Sequence, residues 1–257
     1  MASSHTLPTQ LKAPPLSLLL TEPIRGLRDY LATRRAAAVP RLGDGHPVVV
    51  FPGLAAGAFA TARLRRFLGQ SGFSAHDWGQ GCNTGPSGDF DAWLDGLVRQ
   101  VTQLQATTGR RASLVGWSLG GVYAREIAKR CPQAVRQVIT LGTPFAALAN
   151  ANHAGPLYRL VNRDTAQLTP ELQARLRERP PVPTTAIYSL ADGVVAWLGC
   201  VEQPSALSES VQVAASHLGM VSHPEVLRIV AERLAQPEGQ WRAYAATERQ
   251  PVSRRSS

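Results

Sequence analysis

Short apolar runs separated by segments with helical periodicity are the feature that most constrains how this 257-residue chain can fold. The first run, Pro47–Phe51, is rich in valine, and five further strand candidates follow it along the chain. Strands that are continuously apolar are buried on both faces, and their alternation with helices indicates a mostly parallel sheet covered on both sides. The sequence therefore predicts a single α/β domain over residues 1–257, with an N-terminal extension over residues 1–45.

The composition is that of a soluble globular protein, with 44% hydrophobic and 18% charged residues. A net charge of +9 raises the question of an acidic partner. The arginines, however, are scattered in ones and twos, and no nucleic-acid-binding motif accompanies them, so we expect no nucleic-acid partner. The sequence carries no signal for an oligomeric state.

The N-terminal extension contains an amphipathic pattern from residue 16 to about residue 38, which predicts a helix interrupted at Pro23. Packing on the main domain is the simpler interpretation, and weak peripheral contact with a membrane is the alternative. Glu22 and Pro23 end its apolar patch before it reaches the length of a secretory signal. No run approaches the roughly 18 apolar residues of a membrane span, so we expect a cytoplasmic protein.

Three scattered cysteines, Cys82, Cys131 and Cys200, contain no CxxC pair. This pattern favours reduced thiols over a disulfide framework or a metal site, although one bridged pair remains an alternative.

The segment SLVGWSLGG, residues 113–121, places Ser118 between a predicted strand and a predicted helix. This is the context of a nucleophile elbow, in which a serine occupies a strained turn and small residues two positions away allow a close approach. Gly116 and Gly120 stand at those positions. Ser118 is therefore the candidate nucleophile, and a purely structural glycine-rich turn is the alternative.

A serine nucleophile needs a neighbouring base, and that base needs a carboxylate to fix its tautomer. His217 follows the last predicted strand and is favoured as the base. His223 lies in the first turn of a predicted helix, and His153 lies in an irregular segment.

The favoured acid is Asp192, which follows the penultimate predicted strand and precedes Gly193. Asp164, in the middle insertion, and Glu202 are weaker candidates. An Asp-Gly turn with only a structural role is the alternative interpretation.

Acyl transfer also requires two backbone N–H groups that stabilise an oxyanion. Leu119 follows the candidate nucleophile, and Leu54 lies in the loop after the first strand, where Gly53 permits a tight turn. Because ligands bind open parallel sheets at the carboxyl ends of the strands, we expect these groups to meet at one edge.

The motifs VVVFPGL, SLVGWSLGG, VITLGTPF, YSLADGVV and SHLGM stand in the order found in α/β-hydrolases. From about His46 to about Leu234 the chain resembles the bacterial lipases and esterases of that superfamily. The resemblance implies a serine hydrolase that cleaves small-molecule or lipid esters through an acyl-enzyme, with no metal or organic cofactor. It implies Ser118, Asp192 and His217 as the catalytic residues.

The resemblance also implies Leu54 and Leu119 as the oxyanion donors and a short helical cap over residues 145–183. Lipases of this type often carry histidine where this chain has Pro52, so the contacts that support the oxyanion loop must differ.

Trp117, Phe145 and Trp197 are candidates for binding substrate, although core packing explains each aromatic equally well.

Two other functions use the same sequence features. An acyltransferase or thioesterase would share the nucleophile, the base and the acid, and would differ only in the acyl acceptor. A non-catalytic binding protein with this fold is the third possibility, and such proteins usually lack one of the three residues.

Overall fold

A six-stranded parallel sheet forms the centre of the protein in a computed structural model that describes residues 12–33, 41–146 and 169–244. The strands are β1 (Pro47–Phe51), β2 (Ser74–Asp77), β3 (Ala112–Trp117), β4 (Val135–Leu141), β5 (Thr184–Ser189) and β6 (Ser208–Val213). Their order is β2-β1-β3-β4-β5-β6, and every neighbouring pair is parallel.

Helices connect the strands and cover the sheet. They are α1 (Leu16–Thr33), α2 (Ala58–Gln70), α3 (Phe90–Thr108), α4 (Leu119–Arg130), α5 (Pro170–Arg177) and α6 (Pro224–Leu234). The predicted α/β-hydrolase architecture, a mostly parallel sheet with helices on both faces, is confirmed.

Both faces of strand β1 are buried, which explains why its sequence is continuously apolar. Val48 and Val50 point into one core, which also contains apolar side chains of α2 and α6. Val49 and Phe51 point into a second core, shared with α3 and α4. Since successive side chains of a strand face opposite sides, both faces of β1 are buried and neither tolerates a polar residue.

Local signals set the ends of the connecting helices, and α3 is an example. The Asp89 side chain accepts a hydrogen bond from the N–H of Ala92 and caps the first turn. Gly109 ends the helix with φ of 66°, and its N–H donates to the carbonyl of Gln105. A residue without a Cβ adopts this left-handed conformation at little cost.

The chain order creates a switch point between β1 and β3. From β1 the chain passes to β2 on one side, then returns to β3 on the other side of β1. The loops that follow β1 and β3 therefore diverge and leave a crevice at the carboxyl ends of the two strands. Gly53 follows β1 and Ser118 follows β3, so the fold brings both to this crevice.

The prediction that Pro23 interrupts the N-terminal helix is wrong, because α1 runs without a break from Leu16 to Thr33. A proline inside a helix costs about 3 kcal/mol. Next to the proline, Arg25 donates hydrogen bonds to the Leu18 carbonyl and the Glu22 carboxylate. Residues 34–38 of the predicted helix lie outside the described residues.

The predicted cap over residues 145–183 is described in part. Its second predicted helix is α5, which the side chain of Thr169 caps by accepting from the N–H of Leu172. The first predicted cap helix, over residues 155–163, falls outside the described residues. Within the described ranges, none of the helices combines the length and the apolar character needed to cross a membrane.

Candidate active site

Ser118 occupies a strained turn between β3 and α4. Its backbone has φ of 52° and ψ of −124°, a conformation that residues with a side chain rarely adopt. The Ser118 N–H donates to the carbonyl of Leu141 across 2.8 Å, which ties the turn to the neighbouring strand β4. Such strain persists only where surrounding contacts enforce it, and it is typical of functional positions.

Three glycines permit the close packing around this turn. A Cβ at Gly116 would overlap the backbone of Gly121, and a Cβ at Gly120 would overlap the carbonyl oxygen of Phe51. A Cβ at Gly121 would overlap the side chain of Thr143. The glycines on both sides of Ser118 are therefore required by contacts with β1, β3 and the loop after β4.

The structure brings Ser118, His217 and Asp192 into one hydrogen-bonded chain. The Oγ atom of Ser118 lies 3.1 Å from Nε2 of His217, and Nδ1 of His217 lies 2.6 Å from Oδ2 of Asp192. The other carboxylate oxygen, Oδ1, accepts from the N–H groups of Val194 and Val195, each at 2.8 Å. With Nδ1 donating to Asp192, Nε2 is free to accept the serine proton.

Two of the other candidates for base and acid, His223 and Glu202, lie elsewhere in the described structure. His223 is the N-cap residue of α6. Glu202 forms a buried ion pair with Arg125. His153 and Asp164 lie outside the described residues.

The loop after β1 lies directly against the candidate nucleophile. A Cβ built at Gly53 would be 3.2 Å from the Cβ of Ser118 and 3.3 Å from the ring of Trp117. Leu54 is the next residue, and Leu119 is the first residue of α4, whose opening N–H groups have no acceptor within their own helix. The backbone donors predicted for an oxyanion thus belong to segments on either side of Ser118.

Comparison with known proteins assigns the family. A family model described as "Serine aminopeptidase, S33" matches residues 46–192, more than half of the chain. The chain belongs to this family of α/β-hydrolases. The pimeloyl-[acyl-carrier protein] methyl ester esterase of Shewanella woodyi is 26% identical to it over 119 residues, which cover 46% of this chain and 44% of that esterase. The hydrolase thus matches less than half the length of this curated relative.

Solved structures share the fold at low identity. Aspergillus fumigatus lipase B gives a TM-score of 0.56 at 17% identity, with 80% of this hydrolase and 57% of the lipase covered. The monoacylglycerol lipase of Paleococcus ferrophilus gives a TM-score of 0.55 at 16% identity, with 77% and 96% covered. At these identities the likeness establishes the fold alone.

Asn83 supports the loop after β1 in this hydrolase, and sequence reasoning did not single it out. Its side-chain amide donates to the carbonyl of Pro52 across 2.8 Å. Its backbone accepts from the N–H of Ala55 and donates to the carbonyl of Ala56, both at 2.7 Å. Lipases of this type often carry a histidine where this chain has Pro52. Here the loop is instead supported by Asn83, a buried residue from a different loop. Within the segment GQGCNTGP, nothing in the sequence distinguishes it from an ordinary loop asparagine.

The three aromatic candidates for substrate binding lie in different surroundings. Trp117 is buried, and its indole N–H donates to the carbonyl of His217 across 3.1 Å. Phe145 is buried beneath the guanidinium of Arg125. Trp197 is partly exposed and stacks on Tyr188. Contact with substrate stays a prediction for all three.

The environment of His217 in this hydrolase favours its protonated form. Burial alone would lower the pKa of the imidazole, but the Asp192 carboxylate beside it, with a smaller contribution from Glu22, outweighs burial. The pKa of His217 is therefore raised above its ordinary value of 6.5. A base with a raised pKa accepts a proton more readily.

Proposed function

We propose that this hydrolase cleaves carboxylic esters through an acyl-enzyme, with Ser118 as the nucleophile, His217 as the base and Asp192 as the acid. The observation that carries the proposal is the unbroken hydrogen-bonded chain from Asp192 through His217 to Ser118. It ends on a strained serine at the carboxyl edge of a parallel sheet, where ligands of such sheets bind.

The chemistry follows from the geometry. The Oγ atom of Ser118 attacks the ester carbonyl carbon while Nε2 of His217 takes the hydroxyl proton. The Asp192 carboxylate stabilises the imidazolium that results. The backbone N–H groups of Leu54 and Leu119 donate to the oxyanion.

Collapse of the tetrahedral intermediate breaks the ester bond. The leaving alcohol receives its proton from Nε2 of His217 and departs, and Ser118 stays acylated. A water molecule then gives a proton to Nε2 and attacks the acyl carbon. When this second intermediate collapses, Nε2 returns the proton to the departing Oγ of Ser118, which releases the acid and regenerates the serine hydroxyl.

An ester of a small molecule or a lipid is the proposed substrate class. The names of the relatives support an ester, since they include a methyl ester esterase and a monoacylglycerol lipase. The description of the matching family model, a serine aminopeptidase, makes an amide the competing substrate. We also propose a cytoplasmic location, which is the location that the sequence predicts.

The test measures turnover of p-nitrophenyl esters from acetate to palmitate, together with labelling by a fluorophosphonate probe. We compare wild type with Ser118→Ala and with a matched control, Ser205→Ala, in the exposed turn before β6. Wild type and Ser205→Ala should hydrolyse a subset of the esters and take the label. Ser118→Ala should lose labelling and about 10⁴-fold or more of kcat.

Three outcomes would count against the proposal. Turnover of aminoacyl p-nitroanilides without ester turnover would favour a peptidase. Labelling of wild type, with release of p-nitrophenol only when an alcohol or thiol acceptor is added, would favour an acyltransferase. A folded wild type that neither turns over nor takes the label would favour a binding protein.

A further inference from the structure

Glu22 places a buried carboxylate from the N-terminal helix beside the candidate active site. Along α1, all of which is described, Glu22 alone is buried, with 2% of its surface exposed. Burying a carboxylate costs several kcal/mol unless hydrogen bonds and an opposite charge compensate. Its surroundings must therefore supply both.

The compensation comes from the two loops that carry the acid and the base. One oxygen of Glu22, Oε1, accepts from the N–H of Gly193 at 2.8 Å and from the N–H of His217 at 3.1 Å. The other oxygen, Oε2, accepts from the N–H of Leu218 at 3.1 Å. A single carboxylate thus joins the residue after Asp192 to His217 itself.

Arg25 completes the arrangement. Its guanidinium lies 2.8 Å from Oε1 of Glu22 and also donates to the carbonyl of Ala191, the residue before Asp192. The acid loop is therefore held on both sides of Asp192 by neighbouring turns of one helix.

We propose that Glu22 is a positioning residue of the active site. Its carboxylate holds the backbones of the Asp192 and His217 loops at a fixed separation and places a second negative charge near the imidazole. The proposal rests on the proposed function, because it assigns a role relative to the Ser118–His217–Asp192 chain. A helix that merely covers the domain would not need a carboxylate shared between these two loops.

Among the described residues, the charged groups that act on His217 come from two segments, the loop after β5 and helix α1. Asp192 follows β5 and Glu22 lies on α1, and both raise the pKa of the imidazole against the effect of burial. Arg25 is paired with Glu22. Cys200, buried near Asp192, has a pKa raised well above its ordinary value by burial, so it stays a neutral thiol. Removing the charge of Glu22 should therefore lower the pKa of His217.

The test compares Glu22→Gln with Asp29→Asn. Asp29 lies on the same helix and binds the same base loop, since its Oδ2 accepts from the N–H and the hydroxyl of Ser216. Glu22→Gln should lower kcat by about 10- to 100-fold with KM nearly unchanged, since small misplacements cost up to about 10²-fold in rate. It should also move the acidic limb of the kcat/KM profile to lower pH. Asp29→Asn should leave that limb where wild type has it.

Thermal melts and circular dichroism establish that each variant is folded. The proposal is overturned if Glu22→Gln keeps the wild-type kcat and pH profile. It is also overturned if Glu22→Gln and Asp29→Asn lose rate equally with the limb unmoved, which would indicate that α1 only needs to be docked. A folded wild type without any esterase activity would instead contradict the proposed function, so the two failures are distinguishable.

The outer face of the same helix carries a second, independent inference. Leu16, Leu20, Ile24, Leu27 and Leu31 are all exposed, and their spacing places them along one side of α1. Phe59, near the start of α2, is 95% exposed. A groove of about 500 Å³ lies between α1 and α2, and its lining includes Leu27, Tyr30, Phe59 and Leu218. We call this surface the α1–α2 face.

The charges around the α1–α2 face are positive. Both acids of α1, Glu22 and Asp29, are engaged with the loops beneath the helix. Helix α2 contains no acidic residue, and its arginines Arg63 and Arg66 line the groove. Arg28 is exposed on α1. The face therefore presents apolar side chains beside cations.

We propose that the α1–α2 face docks on an anionic lipid surface. An 18-residue helix is about 27 Å long and can lie in the plane of the interface with its leucines among the acyl chains. A second copy of this chain is a poorer occupant, because a two-fold contact would place the arginines of one copy against those of the other. Docking here would bring Leu218, next to His217, to the lipid.

The test is sedimentation with vesicles of phosphatidylcholine alone or mixed equally with phosphatidylglycerol, at low and high salt. Wild type should bind the anionic vesicles at low salt and lose most binding at high salt. A double variant, Leu20→Ser with Phe59→Ser, should reduce the bound fraction several-fold. The matched control is Leu207→Ser, an exposed leucine at the amino end of β6.

Absence of wild-type binding at low salt would overturn this second proposal. Equal loss in Leu207→Ser would do so too. A concentration-dependent dimer in sedimentation velocity that the double variant abolishes would assign the face to a second copy instead.

Discussion

The two halves of the candidate site are held in different ways. The serine turn, residues 116–121, is fixed by close packing of its glycines between β3, the start of α4, β1 and the side chain of Thr143. The acid and base loops, around Asp192 and His217, are held from outside by a helix at the other end of the chain. One half depends on the absence of side chains, whereas the other depends on a particular charged side chain.

This difference separates stability from activity. Overpacking a close-packed turn destabilises the whole domain, because neighbouring strands must shift. Changing a hydrogen-bonded group in a loop alters the placement and basicity of reacting atoms and leaves the sheet intact. Substitutions of the glycines in the serine turn should therefore appear in thermal melts, and substitutions in the loops should appear in rates.

Among substitutions in the acid and base loops, Asp192→Asn should give the largest effect on rate. The asparagine keeps an oxygen for the N–H groups of Val194 and Val195, but its amide no longer fixes His217 with Nδ1 as a donor. With the wrong tautomer, we expect kcat to fall about 10⁴-fold while the melting temperature changes little. Steady-state kinetics and calorimetry measure the two effects. More than a tenth of wild-type kcat in the variant would contradict the assignment of Asp192.

Gly120→Ala should instead destabilise the fold. Its new Cβ would overlap the carbonyl oxygens of Phe51 and Pro52, so we expect about 1–3 kcal/mol less stability in urea denaturation. The control is Gly69→Ala, a helical position in α2 where an added Cβ meets nothing within 4 Å. That variant should be neutral or slightly more stable. Equal stabilities of the two variants would remove the distinction between the halves.

Gly142→Ala tests the point where both halves meet. Gly142 has φ of 54°, and an added Cβ would lie 3.2 Å from both Oδ2 of Asp192 and Nδ1 of His217. We expect about 1–2 kcal/mol of strain and about a tenfold lower kcat. Gly109→Ala is the matched control, since it has φ of 66° with open space around the added Cβ. It should lose stability alone, and a comparable loss of kcat there would refute the interpretation.

The smallest expected effect concerns the pH dependence of kcat/KM in wild type, where the acidic limb of the profile reports the protonation of His217. The base must be neutral to accept the serine proton, and the pKa of His217 is raised above 6.5. Activity should therefore rise with pH through a midpoint above 6.5 and be low below it. A kcat/KM profile measured across the range checks this, and a midpoint below 6.5 would mean that the Asp192 and Glu22 charges do not reach the imidazole.

Much of the sheet and the serine turn could be predicted from the sequence because their signals are local. Five apolar residues predict β1, and a glycine two positions on each side of Ser118 predicts the turn. Asp192 and His217 were found because each follows a strand, and parallel strands end at one edge. The segment SVQVAAS, residues 210–216, predicts the last strand, and β6 begins two residues earlier, at the position where it pairs with Thr184.

The parts that could not be predicted depend on contacts between distant residues. The N–H groups of Gly193 and His217, which donate to the Glu22 carboxylate, lie 171 and 195 residues from it in the sequence. Nothing near Glu22 distinguishes it from an ordinary surface acid of an amphipathic helix. The expected break at Pro23 was wrong in a helix that is also bound to distant residues, since Arg25 donates to the carbonyl of Ala191 in the acid loop.

The placement of α1 also fixes the order in which the site can be completed during synthesis. The ribosome makes this helix before the backbone groups that Glu22 binds, which follow it by 171 and 195 residues. The serine turn and the central strands can fold while the chain is still growing, because their contacts are closer in sequence. The nascent protein should therefore acquire its sheet before its activity. Proteolytic removal of residues 1–33 should lower kcat at least as much as Glu22→Gln does, while circular dichroism still reports a folded central sheet.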